Sequence, residues 1–315
     1  MNKVLFVQTA FIGDAVLGTA VPEALHSDSV EVHVMVRKGN EVFYTQHPKV
    51  KKVWVWDKKH KWSSWWSLLL EVRKEKYETV YLAQRFFTMG LFTLLSGARK
   101  KIGYRSGILS RIFSKRVNHR WGNGVHEVDR LMDLIDSPVR VLPKIYPSMD
   151  DQRIIQKWLL KPFVTISPSS VWATKQAPAK VWEQVIRRHK DQMIYALGGP
   201  SDIGFLTKLL QEIGENRVQI LAGELTLVQS AALMKQAEMN YVNDSGPLHL
   251  CSATNAPVTA FFCSTIPDFG FGPLSDHSVV LEHNEKLTCR PCGMHGHQSC
   301  PQGHFRCGDI SLKIK

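Results

Sequence analysis

Short apolar runs alternate with segments of helical periodicity along most of the chain. The apolar runs that predict strands lie at residues 3–8, 30–36, 50–57, 79–84, 163–168, 193–199, 218–223, 239–244 and 257–263. The helical patterns lie at residues 14–26, 40–47, 62–76, 178–190, 201–214, 225–237 and 246–254. Strands that alternate with helices indicate βαβ units and parallel sheets. The pattern therefore predicts an α/β fold of two doubly wound, Rossmann-like domains that face each other across a cleft.

Length and composition support two domains. The chain has 315 residues, of which 44% are apolar, and this is enough to form two cores. Four prolines between residues 138 and 162 indicate a linker, so we predict domains at residues 1–150 and 151–315. No uncharged apolar run reaches about 18 residues, which a membrane-spanning helix requires. We interpret residues 1–12 as a strand rather than a signal peptide, because Gln8 interrupts their apolar run.

The positive charge is concentrated in the first half of the chain. The net charge is +12, and residues 1–150 contain 24 basic and 14 acidic side chains, against 16 and 14 in residues 151–315. This asymmetry predicts an anionic partner for the first domain. The stretch 49–66 has six lysines and five tryptophans, a composition found at nucleic-acid and membrane surfaces and also in an ordinary strand flanked by solvated lysines. We favour structural tryptophans and attraction of the net charge to a membrane, and expect no nucleic acid.

Ligands of doubly wound folds bind where strands end and helices begin. This rule selects the turns at residues 9–14, 167–175, 199–202 and 243–249. The first turn has a single glycine, Gly13, followed by Asp14, whereas dinucleotide-binding turns are glycine-rich. Asp14 is a candidate general base, or alternatively the N-cap of the helix predicted after it.

The turn at 167–175 has the chemistry of a phosphate site. Ser169, Ser170 and Thr174 provide hydroxyl groups, and Lys175 provides a positive charge. These groups can bind phosphate oxygens together with the loop amides. The alternative is a polar turn with a solvated lysine.

The turn at 243–249 is a second candidate anion site. Asp244 and Ser245 end a strand, Gly246 allows close backbone approach, and His249 lies one helical turn further on. The first amides of the following helix could bind a diphosphate. Alternatively, Asp-Ser caps the helix and His249 is a packed residue.

Two more turns could contact a nucleotide. Gly199 ends a predicted strand and Glu224 follows one, at positions where a base or ribose is bound in folds of this class.

The six cysteines are expected to be reduced thiols, because the sequence has no secretory signal. Cys289, Cys292, Cys300 and Cys307 are separated by two, seven and six residues. Four thiolates could form a structural zinc site. The irregular spacing favours buried thiols around a compact loop instead.

Taken together, these turns resemble those of the ADP-heptose:lipopolysaccharide heptosyltransferases, glycosyltransferase family 9. The similar stretches are FIGDAVLGTAVPEAL (11–25), LLSGARKKIGYR (94–105), SPSSVWATKQAP (167–178), NDSGPLHLCSATNAPVTAFF (243–262) and the cysteine-rich tail CRPCGMHGHQSCPQGHFRC (289–307). The chain departs from the family pattern at Ser169, where glycine is usual, and at Gln176 and Ala177, where Arg-Trp is usual. Both departures lie in the loop at 167–178, which the resemblance implies is the donor loop.

The resemblance implies a GT-B fold and an inverting transfer of heptose from ADP-heptose to the inner core of lipopolysaccharide. It places the enzyme in the cytoplasm, peripheral to the inner membrane, with a lipid-linked core oligosaccharide as acceptor and no required cofactor. Asp14 would deprotonate the acceptor hydroxyl, while Lys175 and the amides at Ser245 and Gly246 would neutralise the leaving diphosphate. The alternatives are a GT-B transferase of another nucleotide sugar, such as a hexose, and an inactive sugar-nucleotide-binding or lipid-surface protein.

Overall fold

The computed structural model describes residues 2–312, apart from the side chain of Lys61, and leaves residues 1 and 313–315 undescribed. The chain divides into two compact units between Tyr146 and Pro147, slightly before the predicted boundary at residue 150. The position of this division has a local cause. Ser148 and Asp151 form a capping box that starts a helix, and Asp151 also accepts a hydrogen bond from Gln229 of the second unit.

The first unit is a six-stranded parallel sheet with helices between its strands. Its elements are β1 (Asn2–Gln8), α1 (Ile12–Leu17), α2 (Ala20–Leu25), β2 (Val30–Arg37), β3 (Lys52–Trp56), α3 (Lys61–Lys74), β4 (Thr79–Leu82), α4 (Phe87–Leu95), β5 (Lys100–Tyr104), β6 (Lys115–Val117) and α5 (Glu127–Ile135). The strand order is β3-β2-β1-β4-β5-β6. The chain therefore reverses its direction across the sheet between β1 and β4, which is the switch point where ligands of such sheets bind.

The second unit repeats this architecture. Its elements are α6 (Met149–Ile155), β7 (Phe163–Ser167), α7 (Ala179–Arg188), β8 (Met193–Ala196), α8 (Ile203–Ile213), β9 (Gln219–Ile220), α9 (Leu227–Gln236), β10 (Met239–Asn243), α10 (Gly246–Thr254), β11 (Val258–Phe262) and β12 (Ser278–Glu282). The order β12-β11-β10-β7-β8-β9 puts the switch point between β7 and β10. The predicted α/β class of two doubly wound sheets is confirmed.

Each unit has its own apolar core. The central strands are buried on both faces, as parallel sheets covered by helices must be. In the first unit the core includes Trp54, Trp56 and Trp65, so these three tryptophans have the structural role that we favoured. Trp62 and Trp66 of the same stretch are exposed, so the structural interpretation is wrong for these two.

Two predicted helices differ in the structure. The helix predicted at 14–26 starts at Ile12 and is interrupted near Gly18. The helix is interrupted because the carbonyl of Ala15 accepts a hydrogen bond from the Tyr44 hydroxyl, at 2.6 Å. This hydroxyl packs closely on Gly18, where a Cβ would lie only 2.8 Å from it. The helix predicted at 40–47 is wrong, since only a single 3₁₀ turn forms at Glu41–Phe43. Among the described residues, no helix is both long and apolar enough to cross a membrane.

Candidate active site

Asp14 lies at the switch point of the first unit, in the first turn of α1. Its side chain is half-buried. The N-cap of α1 is Phe11 rather than Asp14, and no side chain caps this helix. The alternative of Asp14 as an N-cap is therefore wrong. A carboxylate in the first turn interacts favourably with the helix dipole, by about 0.3–1 kcal/mol.

Several hydrogen bonds fix the turn that carries Asp14. Thr9 follows β1, and its hydroxyl donates to the side-chain oxygen of Gln84, which follows β4, at 2.5 Å. The side-chain amide of Asn40 donates to the carbonyl of Ala10 at 3.1 Å. The turn is thus joined to neighbouring strand ends on both sides, which gives the carboxylate a defined position.

A buried ion pair that the sequence analysis did not single out lies within electrostatic reach of Asp14. Arg130 is fully buried, and its Nε donates to Glu127 Oε2 at 2.7 Å. Burial raises the pKa of Glu127 to about 7, with the Arg130 guanidinium opposing the shift and the negative charge of Asp14 adding to it. The available signal was an acid and a base three residues apart at the start of the amphipathic run HEVDRLMDLI (126–135).

In the second unit, Asn243 holds both ends of the loop that was predicted to bind phosphate. Asn243 is completely buried at the end of β10. Its Nδ2 donates to the carbonyl of Pro168 at 2.6 Å, and its Oδ1 accepts from the amide of Ala177 at 3.0 Å. The half-buried Ser169 and Ser170 lie in the loop so defined. The sequence analysis did not identify Asn243, although it directly precedes the Asp-Ser pair.

Lys175 and Asp244, both predicted site residues, form an ion pair. Lys175 Nζ lies 2.6 Å from Asp244 Oδ2, and the two side chains are 15% and 7% exposed. The hydroxyl of Thr265 also donates to Asp244 Oδ2, at 2.6 Å. The solvated lysine considered as an alternative is therefore wrong for Lys175. An ammonium group has three donors, so the contact with Asp244 leaves capacity for an anion.

Thr174 joins the same loop to the cysteine-rich tail. Its hydroxyl accepts from the amide of His297 at 2.8 Å and lies 3.1 Å from Ser264 Oγ. Its own amide donates to the carbonyl of His297 at 3.0 Å. Thr174 is buried, and its hydroxyl connects the loop to the tail. The predicted contact of this hydroxyl with a phosphate stays a prediction.

The tail packs closely on this loop at Gly296, and replacing Gly296 tests whether this packing positions the loop. A Cβ at Gly296 would lie 2.9 Å from both Thr174 Oγ1 and Ser264 Oγ, and its φ of +79° is left-handed. We expect Gly296→Ala to displace the loop, which is the predicted phosphate site, and to lower the affinity for a nucleoside diphosphate severalfold in calorimetry. Gly303→Ala is the matched control, because Gly303 has a φ of +72° with no atom within 4 Å of a Cβ. It should share the backbone strain of about 1–3 kcal/mol and keep the affinity of the wild type. Equal affinities of the two variants would contradict a role for this packing in binding.

The start of α10 provides a limited set of amide donors. Ser245 precedes the helix without capping it through its side chain. Pro247 has no N–H, and the amide of Leu248 donates to the carbonyl of Ser245 at 3.1 Å. The Gly246 amide is therefore the first-turn donor best placed to meet an anion. His249 is buried within α10, with its ring edge-on to Phe271.

Gly199 and Glu224 lie at the ends of the next two strands of the same sheet. Both are exposed. Gly199 donates its amide to Asp202 Oδ2 at 2.8 Å, and Gly223, next to Glu224, donates to the carbonyl of Gly198 at 3.0 Å. All predicted binding residues of the second unit therefore follow the carboxyl ends of β7 to β10.

The four tail cysteines are thiols in differing environments. Cys307 is buried, whereas Cys289, Cys292 and Cys300 are partly exposed. Burial, together with the charges of Cys300 and Cys289, raises the pKa of Cys292. Among residues 2–312, no group of three or more cysteine, histidine or acidic side chains has an arrangement suited to a metal ion.

Comparisons with known proteins agree with this architecture. The curated "Lipopolysaccharide heptosyltransferase 3" of Escherichia coli is 23% identical over 282 residues, which cover 81% of this chain and 82% of that protein. The solved structure of the E. coli ADP-heptose LPS heptosyltransferase II has a TM-score of 0.78 at 20% identity, with coverage of 97% and 96%. The E. coli heptosyltransferase WaaC with ADP has a TM-score of 0.71 at 18% identity, with coverage of 88% of this chain and 92% of that chain. These similarities confirm the GT-B fold class.

The family assignment comes from a sequence model. The model of glycosyltransferase family 9 (heptosyltransferase) matches residues 65–297, which include the candidate donor turns of the second unit and begin after Asp14. This match spans most of the chain, so the protein belongs to glycosyltransferase family 9 and is a glycosyltransferase.

Proposed function

We propose that this enzyme transfers a heptose from ADP-heptose to the inner core of a lipopolysaccharide, with inversion at the anomeric carbon. The observation that carries the proposal is the Lys175–Asp244 pair at the switch point of the second unit, beside the Ser169–Ser170 turn and the Gly246 amide. The relatives support the sugar and the nucleotide, since one is a lipopolysaccharide heptosyltransferase by name and another was solved with ADP.

The second unit binds the donor through its diphosphate. The Lys175 ammonium and the Gly246 amide are positive groups at neighbouring strand ends, and Ser169 and Ser170 add hydroxyl donors. As the bond between the sugar and the diphosphate breaks, its electron pair moves to the departing phosphate oxygen. Preorganised donors stabilise this charge without having to reorganise. Gly199 and Glu224 lie along the same edge, where the ribose or base of the nucleotide would extend.

Asp14 in the first unit acts as the general base. The acceptor hydroxyl oxygen attacks the anomeric carbon, and its proton passes to the Asp14 carboxylate as the new bond forms. A single displacement of this kind inverts the anomeric centre. The half-buried side chain in a turn held by Thr9 and Asn40 supports this role.

A donor screen tests the proposal. Calorimetry and transfer assays should compare ADP-heptose with UDP- and GDP-sugars on the same preparation. We expect binding of ADP and ADP-heptose and transfer to a deacylated inner-core acceptor. Preference for a UDP- or GDP-hexose would favour the second candidate function, a transferase of another nucleotide sugar. The departures from the family pattern at Ser169, Gln176 and Ala177 are the observation that favours this candidate. Binding of a donor without any transfer would favour an inactive binding protein.

The tail cysteines are proposed to be reduced packing thiols, and metal analysis checks this. Protein purified without a histidine tag should contain well under one metal ion per chain, and all six thiols should titrate after denaturation. About one zinc per chain would show a metal site at Cys289, Cys292, Cys300 and Cys307.

The proposed location is the cytoplasmic face of the inner membrane, to which the enzyme attaches peripherally. The lipid-linked acceptor is found at this surface. The net positive charge of residues 1–150 supports attraction to anionic head groups.

A further inference from the structure

Arg290 is an almost buried arginine of the cysteine-rich tail, outside the candidate site described above. Its side chain is 11% exposed and pairs with the carboxylate of Glu282, the last residue of β12. Its Nε donates to the carbonyl of Cys263 at 2.6 Å, and its Nη2 donates to the carbonyls of Phe262 at 3.1 Å and Thr265 at 2.6 Å. One guanidinium group therefore binds three carbonyls around the carboxyl end of β11.

Residues 263–265, which we call the β11 turn, directly follow β11. Ser264 and Thr265 are each 1% exposed, so their backbone groups need partners inside the protein. The tail provides these partners. The amide of Cys292 donates to the carbonyl of Ser264 at 2.8 Å, and Arg290 donates to the carbonyls on either side of it. The tail thus holds every carbonyl of the β11 turn.

The β11 turn contacts both partners of the Lys175–Asp244 pair or their neighbours. The hydroxyl of Thr265 donates to Asp244 Oδ2 at 2.6 Å, and the same oxygen lies 2.6 Å from Lys175 Nζ. Ser264 contacts the residue before Lys175, because its amide donates to the carbonyl of Thr174 at 3.3 Å and its Oγ lies 3.1 Å from Thr174 Oγ1. A shift of the turn would therefore move the carboxylate that meets Lys175 and the loop that carries Lys175.

The chemistry of arginine suits this position. A guanidinium group is planar and its donors point in fixed directions, whereas an ammonium group is a compact charge on a flexible chain. One rigid group thereby sets the positions of several carbonyls relative to one another. Hydrogen bonds from a charged donor are also about twice as strong as neutral ones. A lysine in place of Arg290 would keep the charge but would not hold these carbonyls together.

We propose that Arg290 is a positioning residue for sugar transfer. It holds the β11 turn, so that the Thr265 hydroxyl orients the Asp244 carboxylate, which keeps the Lys175 ammonium directed at the departing diphosphate. Donors that are already oriented stabilise the developing charge without reorganisation. The proposal rests on the proposed function, in which Lys175 binds this diphosphate.

Transfer kinetics of the full chain test the proposal in Arg290→Lys, Thr265→Val and the double variant. We expect each single variant to lower kcat by about tenfold or more, since small displacements in a site cost up to about 10²-fold in rate. The KM for the nucleotide sugar should change less, because the diphosphate gains its additional negative charge only as it departs. The double variant should be no slower than the slower single variant, because both changes interrupt the same series of contacts.

Two control variants match these changes. Arg306→Lys replaces another arginine of the tail, whose ion pair with Glu285 at 2.9 Å is exposed on both sides. Thr259→Val removes a buried hydroxyl within β11 itself, where it lies 3.5 Å from the sulfur of Met239. Both controls should keep the kcat and the ADP affinity of the wild type. Urea unfolding verifies that every variant is folded under the assay conditions.

Several results would overturn the proposal. These are a kcat of either single variant within about threefold of the wild type, far short of a displaced site, losses that multiply in the double variant, a raised KM with unchanged kcat, or equal losses in a test variant and its control. If Arg290→Lys does not fold, Thr265→Val decides alone, because it removes only the hydroxyl that reaches Asp244. A normal kcat would then reject the proposal, and a loss of about tenfold would support it.

Calorimetry with ADP separates this proposal from the proposed function. If the wild type transfers no sugar from ADP-heptose, the proposed function is rejected, and affinity for the nucleoside diphosphate that the wild type binds becomes the measure of positioning. This product carries the additional charge of the departed diphosphate, so Arg290→Lys and Thr265→Val should each weaken its binding severalfold, without multiplying in the double variant. Unchanged affinity in both single variants would reject positioning by Arg290.

Discussion

Asp14→Asn is expected to lower the rate of sugar transfer by about 10²- to 10⁴-fold, the usual contribution of a general base. Asparagine keeps the size of the side chain but cannot take the proton of the acceptor hydroxyl. ADP affinity should change little, because the groups proposed to bind the diphosphate all belong to the second unit. The melting temperature should also change little, because Phe11 occupies the N-cap position of α1.

Single-turnover transfer to a deacylated inner-core acceptor measures this effect, with calorimetry for ADP on the same preparations. Asp28→Asn is the control, since Asp28 is an exposed aspartate in the turn before β2, at the opposite edge of the same sheet. It should retain wild-type activity. Activity of Asp14→Asn within about threefold of wild type, far short of the general-base range, would remove Asp14 from the mechanism.

The sequence predicted the central strands well because burial on both faces turns them into continuous apolar runs. The strands that it missed, β5, β6 and β12, lie towards the sheet edges. β5 starts with two lysines, and β6 consists of Lys-Arg-Val, so neither has an apolar run. β12 has only the short run Val279–Leu281, and no residue of this edge strand is fully buried. The helix predicted at 40–47 failed because tertiary contacts override its local periodicity. The side chain of Asn40 donates to the carbonyl of Ala10, and the hydroxyl of Tyr44 donates to the carbonyl of Ala15.

The positions of the candidate site could be predicted, but its internal contacts could not. The rule that ligands bind at strand ends located Asp14, Lys175 and Asp244, because each follows an apolar run. That Lys175 contacts Asp244 depends on the adjacency of β7 and β10, which the order of strands along the chain does not reveal. The role of Asn243 was missed for the same reason, since its side-chain amide binds both ends of a loop that is distant in sequence.

Lys175→Met is expected to weaken ADP binding and to destabilise the second unit. Loss of a charge-assisted contact with the diphosphate corresponds to about 1.5–3 kcal/mol of binding free energy. The buried Asp244 would keep its hydrogen bond from Thr265 but lose its cation. Removing one partner of a buried ion pair costs about 3–5 kcal/mol of folding free energy. Calorimetry with ADP and urea unfolding measure the two effects separately.

A double variant separates binding from folding. Lys175→Met with Asp244→Leu removes both charges, so much of the stability should return, while ADP affinity should stay low because the cation is absent. The control is Lys180→Met, since Lys180 pairs with Asp309 at 2.6 Å with both side chains more than half exposed. Exposed pairs contribute about 0–1 kcal/mol, so this variant should behave like the wild type in both measurements. If the double variant regains ADP affinity together with its stability, Lys175 only compensates the charge of Asp244, and the diphosphate is bound by other groups.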